Sequence, residues 1–227
     1  GGVKRIAAIT EKLVPIMAIF YICGALIAIG MNAQNILPAF QSIFVGAFSP
    51  EAVMGGAIGI SIKEAVRFGV ARGLFSNEAG MGSTPHAHAM AKVAKPQDQG
   101  AVAMVGVFID TFIVLTMTAL VILTSGMLGT TGADGQMLTA TALAQAAFNN
   151  SFGSFGSVFV AICLLFFAFS TIIGWYFFGE SNVKALFGGS KKATVIYGII
   201  ALVFIVVGSF QKVGLVWDMS DMFNGLM

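Results

Sequence analysis

Gly73-Leu74-Phe75-Ser76-Asn77-Glu78-Ala79-Gly80-Met81-Gly82-Ser83-Thr84-Pro85 is the stretch on which the reading of this chain turns. It holds three glycines, a proline and five other polar residues. In a helix interior Gly is about 1 kcal/mol worse than Ala, and Pro about 3 kcal/mol worse. Before it, Val53 to Ile62 is apolar and Gly-rich, and Lys63, Glu64, Arg67 and Arg72 follow at helical spacing. After it, an Ala-rich run extends to Ala94. The pattern predicts two short helical pieces joined by a non-helical centre, over residues 63–94 with the break near 75–82.

The surroundings place that break in a membrane. Of 227 residues, 57% are hydrophobic and only 10% charged, against about 25% charged in soluble domains. Mean hydropathy is +0.91. So few charges cannot cover so much apolar surface in water, and a disordered chain is excluded by the same numbers. The period-two alternation of an outer-membrane barrel is missing. A net charge of +2 gives no nucleic-acid footprint. An all-α polytopic membrane protein is the class that remains.

Apolar stretches at 13–31, 101–127, 155–179 and 193–210 are long enough to span, and 214–227 begins a further one. Ile36 to Phe48 reads as a short external or re-entrant helix, and Met137 to Asn150 as an amphipathic one. Cys23 and Cys163 read as small buried hydrophobes. One set of connections carries Lys4, Arg5, Lys12, Lys92, Lys95, Lys184, Lys191 and Lys192; the alternate set carries Lys212 with Glu51, Asp134, Asp218 and Asp221. This bias predicts that the Lys-rich connections are cytoplasmic. The alternation holds only if the broken segment is one crossing. The opening without Met, and a close inside an apolar segment, predict an internal piece of a longer protein.

Unpaired backbone in hydrocarbon costs several kcal/mol, so a break at that depth must sit beside protein or a water-filled cavity. Freed N–H groups at a half-helix N-terminus bind carboxylates, and freed carbonyls bind cations or ammonium groups. Gly80, Gly82 and Ser83 are placed for the first task, Asn77 adds an uncharged donor and acceptor, and Phe75 and Met81 offer apolar walls. Glu78 has three readings: an ion pair, a cap on the second half-helix, or an attraction for a substrate ammonium.

Other polar residues lie in apolar spans. Thr171 and Trp175, at i and i+4, share a helix face. Ser170 and Thr171 offer two hydroxyl oxygens to a hard cation; the alternative is that such hydroxyls bond carbonyls of their own helix. Asp110 must face the interior and have a partner, because a charge at mid-membrane is costly. It is either a cation ligand or coupling proton site, or one half of a buried pair with Arg67, Arg72 or a hydroxyl. Arg67 and Arg72 read as an outer network. His86 and His88, two apart on a helix, point away from each other and do not form a metal site. Ser83 with His86 superficially resembles a nucleophile and its base, but no enzyme motif supports it.

GLFSNEAGMGS followed by Pro85 resembles the signature of the alanine or glycine:cation symporters, also called sodium:alanine symporters. GGVKRIAAITEKLVP from Gly1, GVFIDTFIVLTMTALVILTSG from Gly106 and FAFSTIIGWYFFGE from Phe167 agree with it. The resemblance implies a leucine-transporter-type fold of two interlocked inverted repeats. This chain would supply it from about the fifth helix to the start of the tenth, and the N-terminal helices would be the missing partner of the same chain. It implies a substrate site of Phe75, Ser76, Asn77, Gly80, Met81, Thr171 and Trp175. It also implies a sodium site of Ser170, Thr171 and the carbonyl of Phe167. The function expected is sodium-coupled symport of a small neutral amino acid, alanine or glycine, across the inner membrane by alternating access. Na+ is the co-transported ion, with no cofactor and no catalytic residue. The alternative is another cation- or proton-coupled amino-acid transporter of the same fold, and the remote one a membrane-embedded enzyme.

Overall fold

A computed structural model describes residues 3–48, 62–78, 81–132 and 135–226. The expected apolar approach at 53–61, and Glu51, Ala79, Gly80 and Asp134, lie outside the described residues. Ten α-helices account for most of the rest. They are α1 (Val3–Met31), α2 (Ile36–Phe48), α3 (Ile62–Ser76), α4 (Thr84–His88), α5 (Pro96–Phe108), α6 (Thr116–Ser125), α7 (Ala140–Phe152), α8 (Phe155–Leu186), α9 (Lys191–Ser209) and α10 (Val213–Leu226). A π-helical turn, Ile109–Leu115, joins α5 to α6 without interrupting the rod. Among the described residues the only β pairing is an isolated bridge between Thr131 and Met137.

Among the described residues, four rods have the length and apolarity to cross a membrane: Ala8–Met31, Pro96–Ser125, Phe155–Leu186 and Lys191–Ser209. α8 is the longest, at 32 residues, roughly 48 Å at about 1.5 Å per residue. Its last turns outrun a hydrocarbon layer of about 30 Å, and there Lys184 pairs with Glu180 at 3.0 Å.

The packed core lies at one end of the bundle, where α1, α6, α7 and the start of α8 meet. Tyr21, Ala25, Ala28, Val121, Phe148, Phe159 and Cys163 are buried together there. Small residues let these helices approach closely, as helix packing in lipid requires. A Cβ on Gly24 would collide with the Phe159 ring, so glycine is what admits that ring against α1. Polar groups tie off the same end. Asn32 donates to the Ala28 carbonyl and to Ser151, each at 2.9 Å, and Asn35 donates to the Thr124 carbonyl at 2.8 Å.

Elsewhere apolar side chains face outward. α9 has no buried residue and exposes Ile199, Leu202 and Phe204, as a rod bordered by lipid or further helices does. Cys163 is buried as expected, whereas Cys23 is exposed on α1, because it points away from the α8 side on which Gly24 packs.

The broken helix is shorter than the sequence suggests. α3 ends at Ser76 and α4 is a single short helix, Thr84–His88. The Ala-rich run expected to continue to Ala94 gives way to turns at Ala89 and Met90 and then to irregular chain before Pro96. Ala is the best helix former, but a run this short cannot repay nucleation without a buried face.

Candidate functional site

The break is held on both sides by side-chain hydrogen bonds. α3 closes with the backbone and side-chain N–H groups of Asn77 both donating to the Gly73 carbonyl, at 3.1 and 3.0 Å. Glu78 has φ +52°, a left-handed conformation that costs a non-glycine residue about 1–2 kcal/mol. Its carboxylate accepts from Ser83 at 2.7 Å and Thr84 at 3.2 Å. Glu78 thus brings its negative charge to the start of α4, where helix N-termini favour it. Both bonds run to side-chain hydroxyls, so Glu78 ties the break to the first residues of α4 through Ser83 and Thr84. At the anion seat foreseen for Gly80, Gly82 and Ser83, the Ser83 hydroxyl is engaged by the protein's own Glu78 carboxylate; Gly80 lies outside the described residues.

Two adjacent residues of the π-turn reach the break from the other side. Ser76 donates to Asp110 at 2.7 Å, and Thr111 donates to the Asn77 side-chain oxygen at 3.0 Å. The partner of Asp110 is therefore a hydroxyl. Arg72 instead pairs with Asp221 of α10 at 2.6 Å and lies 4.0 Å over the Trp217 ring. Phe75, one turn on, meets the same Trp217 edge-on with centroids 5.6 Å apart.

On the opposite side of the break an open cavity of about 530 Å³ separates α4 from α8 and α9. Met81 and Ser83 border it from the break, and Thr171 and Trp175 from α8. Thr171 and Trp175 are thus brought together with Met81 across one space, whereas Phe75, Ser76 and Asn77 are turned toward Trp217 and the π-turn. Trp175 also meets Phe178 edge-on, with centroids 5.8 Å apart.

Sequence reasoning missed the far wall of this cavity: His86, Asn182 and Tyr197. The His86 ring bridges the Gly82 carbonyl at 3.0 Å and the Asn182 side chain at 2.9 Å, joining the break to α8. His88 bonds Gln99 instead, at 2.7 Å. The i, i+4 spacing of Phe178 and Asn182 on the Trp175 side of α8 is the signal that could have found Asn182.

Ser170 is half-buried and donates to the Phe167 carbonyl at 3.0 Å; its hydroxyl also faces the sulfur of Met17 on α1 at 3.9 Å. Hydroxyl and carbonyl therefore sit side by side. They point toward α1, while the next residue, Thr171, opens on the cavity. Two consecutive positions of α8 thus serve two different neighbours.

The family model for the sodium:alanine symporter family matches residues 1–227. The chain is 40% identical over its whole length to the sodium/alanine symporter AgcS of Methanococcus maripaludis, covering 48% of that protein. It is 42% identical to the probable sodium/glutamine symporter GlnT of Bacillus subtilis, all of the chain against 45% of that protein. Against the sodium/proton-dependent alanine carrier protein of Bacillus sp. strain PS3 it is 36% identical, all of the chain against 53% of that protein. The chain spans about half the length of the curated relatives it matches. The family match extends over every residue, and the described residues are mostly helical with four apolar rods: the chain belongs to the sodium:alanine symporter family, a family of transporters and not of enzymes.

Proposed function

We propose that this chain is a segment, from about the fifth helix to the start of the tenth, of a cation-coupled symporter that carries a small neutral amino acid, alanine or glycine, with Na+ across the inner membrane. The observation that carries the reading is the cavity between the break and α8, where Met81, Thr171 and Trp175 converge. The indole and the thioether form apolar walls, and the Thr171 hydroxyl supplies a polar contact. An N-terminal half of the same protein would close the open side and supply the remaining ligands. Phe75, Ser76, Asn77 and Gly80 complete the proposed substrate set.

For the cation, Ser170, Thr171 and the Phe167 carbonyl offer three oxygens within one turn of α8, the ligand type a hard cation takes. Binding there would replace the Ser170–Phe167 hydrogen bond and fix α8 against a helix of the other half. Alternating access would then rock one bundle against the other about this midplane site. The Lys-rich ends at Lys92–Lys95 and Lys184–Lys192 lie cytoplasmic in this arrangement.

Labelled-alanine uptake into vesicles holding the complete carrier tests the reading. Uptake should follow an imposed sodium gradient and persist when a protonophore collapses the proton gradient. Uptake that follows the proton gradient alone would replace Na+ with H+, and a chain limited to these 227 residues should not transport at all.

A further inference from the structure

We propose that the π-turn Ile109–Leu115 is a clamp that fixes where the broken helix unwinds, with Asp110 and Thr111 as positioning residues that hold Ser76 and Asn77. Ser76 is the last residue of α3 and Asn77 the first of the break. Asp110 takes the first at 2.7 Å and Thr111 takes the second at 3.0 Å. Adjacent residues on an ordinary α-helix diverge by roughly 100°. A π-turn, with its i→i+5 bonding, rotates less per residue, so Asp110 and Thr111 diverge less and can address neighbouring residues of one partner. Further along the same rod the hydroxyls behave differently. Thr124 and Ser125 bond carbonyls of their own helix, and Thr118 bonds the Val114 carbonyl as well as Tyr21 of α1; Thr111 crosses to the break.

The clamp also accounts for the strain beside it. Glu78, with φ +52°, is followed by the two residues outside the described structure and then by Met81. A strained backbone persists only where its surroundings over-determine it. Asn77 is held from two directions, by Thr111 on its side-chain oxygen and by Gly73 on its side-chain nitrogen. Glu78 is held by Ser83 and Thr84. Without the π-turn contacts α3 could extend or fray by a residue, and the break would move with it.

Amide hydrogen exchange of the 74–84 segment, in the complete carrier in lipid nanodiscs, tests the clamp without reference to any substrate. Ser76→Ala, Thr111→Val and Asp110→Ala should each accelerate exchange about tenfold, the scale of one lost hydrogen bond to a charged or buried partner. Thr111→Ser restores the hydroxyl and should restore protection. Asp110→Asn keeps an acceptor oxygen and should stay within about threefold of wild type. The double variant Ser76→Ala/Asp110→Ala should exchange no faster than either single one, because both remove the same bond. If Asp110→Ala fails to assemble, the Thr111→Val and Thr111→Ser pair still decides. Unchanged exchange in Thr111→Val and Ser76→Ala overturns the proposal. So does Asp110→Asn behaving like Asp110→Ala, which would mean that the charge acts and not the bond. The KM for amino-acid uptake should rise in step with exchange; that second readout rests on the proposed transport activity. Accelerated exchange with an unmoved KM would leave the clamp standing and remove the break from substrate binding.

Discussion

The two halves of α8 share one rod and differ in almost every physical respect. From Phe155 to Cys163 it is packed: Gly156, Phe159, Val160 and Cys163 are buried against α1 and α7. From Ser170 to Asn182 no residue is buried, and the helix borders an open cavity. The first half carries a cluster of rings, with Phe159 5.0 Å from both Phe20 and Phe148. The second carries hydroxyls, an indole and an amide. A helix in lipid gains little from apolarity alone, because lipid tails are as apolar as leucine. Packing holds the first half in place, and so the second can present polar groups without having to hold the bundle together.

Removing the α7 ring that packs against the first half of α8 should have the largest effect. Phe148 is 2% exposed and touches the rings of Tyr21, Phe152 and Phe159. Phe148→Ala should cost about 3–5 kcal/mol through the cavity it leaves. Thermal unfolding in detergent should show it as a lower midpoint, while substrate preference in the surviving folded carrier stays the same. A changed preference would show that the two halves are not separable.

Trp175→Leu should do the opposite. The ring is 37% exposed beside the cavity, so its loss should leave stability nearly unaltered. Preference should shift from alanine toward valine or leucine by about tenfold, the scale of one to two methylenes in an apolar pocket. Competition of labelled-alanine uptake by a series of neutral amino acids reads this directly. An intact order with reduced stability would make Trp175 a packing residue after all.

Ser170→Ala sharpens the boundary between the halves. It should raise the sodium concentration for half-maximal uptake by about five- to tenfold, as loss of a half-buried polar ligand predicts, and leave the order of substrates alone. An unmoved sodium curve would extend the purely structural part of α8 by two turns.

The smallest effect belongs to Tyr197→Phe. That hydroxyl reaches the Tyr176 carbonyl at only 3.4 Å, from the face of α9 where a Cβ on Gly179 would collide with it. The two rings also meet in a tilted contact with centroids 5.4 Å apart, which does not depend on the hydroxyl. Stability should change by about 0.5 kcal/mol or less, and uptake should not move. A large effect on uptake would make the Tyr197 hydroxyl, and not only its ring at the cavity wall, a working part of the site.

The break was legible because Gly and Pro act locally: the thirteen residues from Gly73 to Pro85 disfavour a helix whatever surrounds them. The spans were legible for a similar reason, since mean hydropathy over about twenty residues needs no partner to be read. Asp110 stood out as a mid-span charge in need of a partner. The identity of that partner was not legible. Ser76 lies 34 positions away, as does Asn77 from Thr111, and neither pairing leaves a periodic trace. The π-turn left none either, because Ile-Asp-Thr-Phe-Ile-Val-Leu contains no Gly or Pro to mark it.

The sequence by itself therefore determined what each segment can be: apolar rods, one crossing that cannot stay helical, and polar groups too costly to leave unpaired. Only the tertiary structure decided which groups meet. It spent Glu78 on Ser83 and Thr84, gave Arg72 to Asp221, and brought His86 and Asn182 to the cavity that Thr171 and Trp175 share. The physical reason is one of range. Propensity and hydropathy sum over neighbours along the chain, whereas a hydrogen bond of about 3 Å depends on where two separate helices are packed.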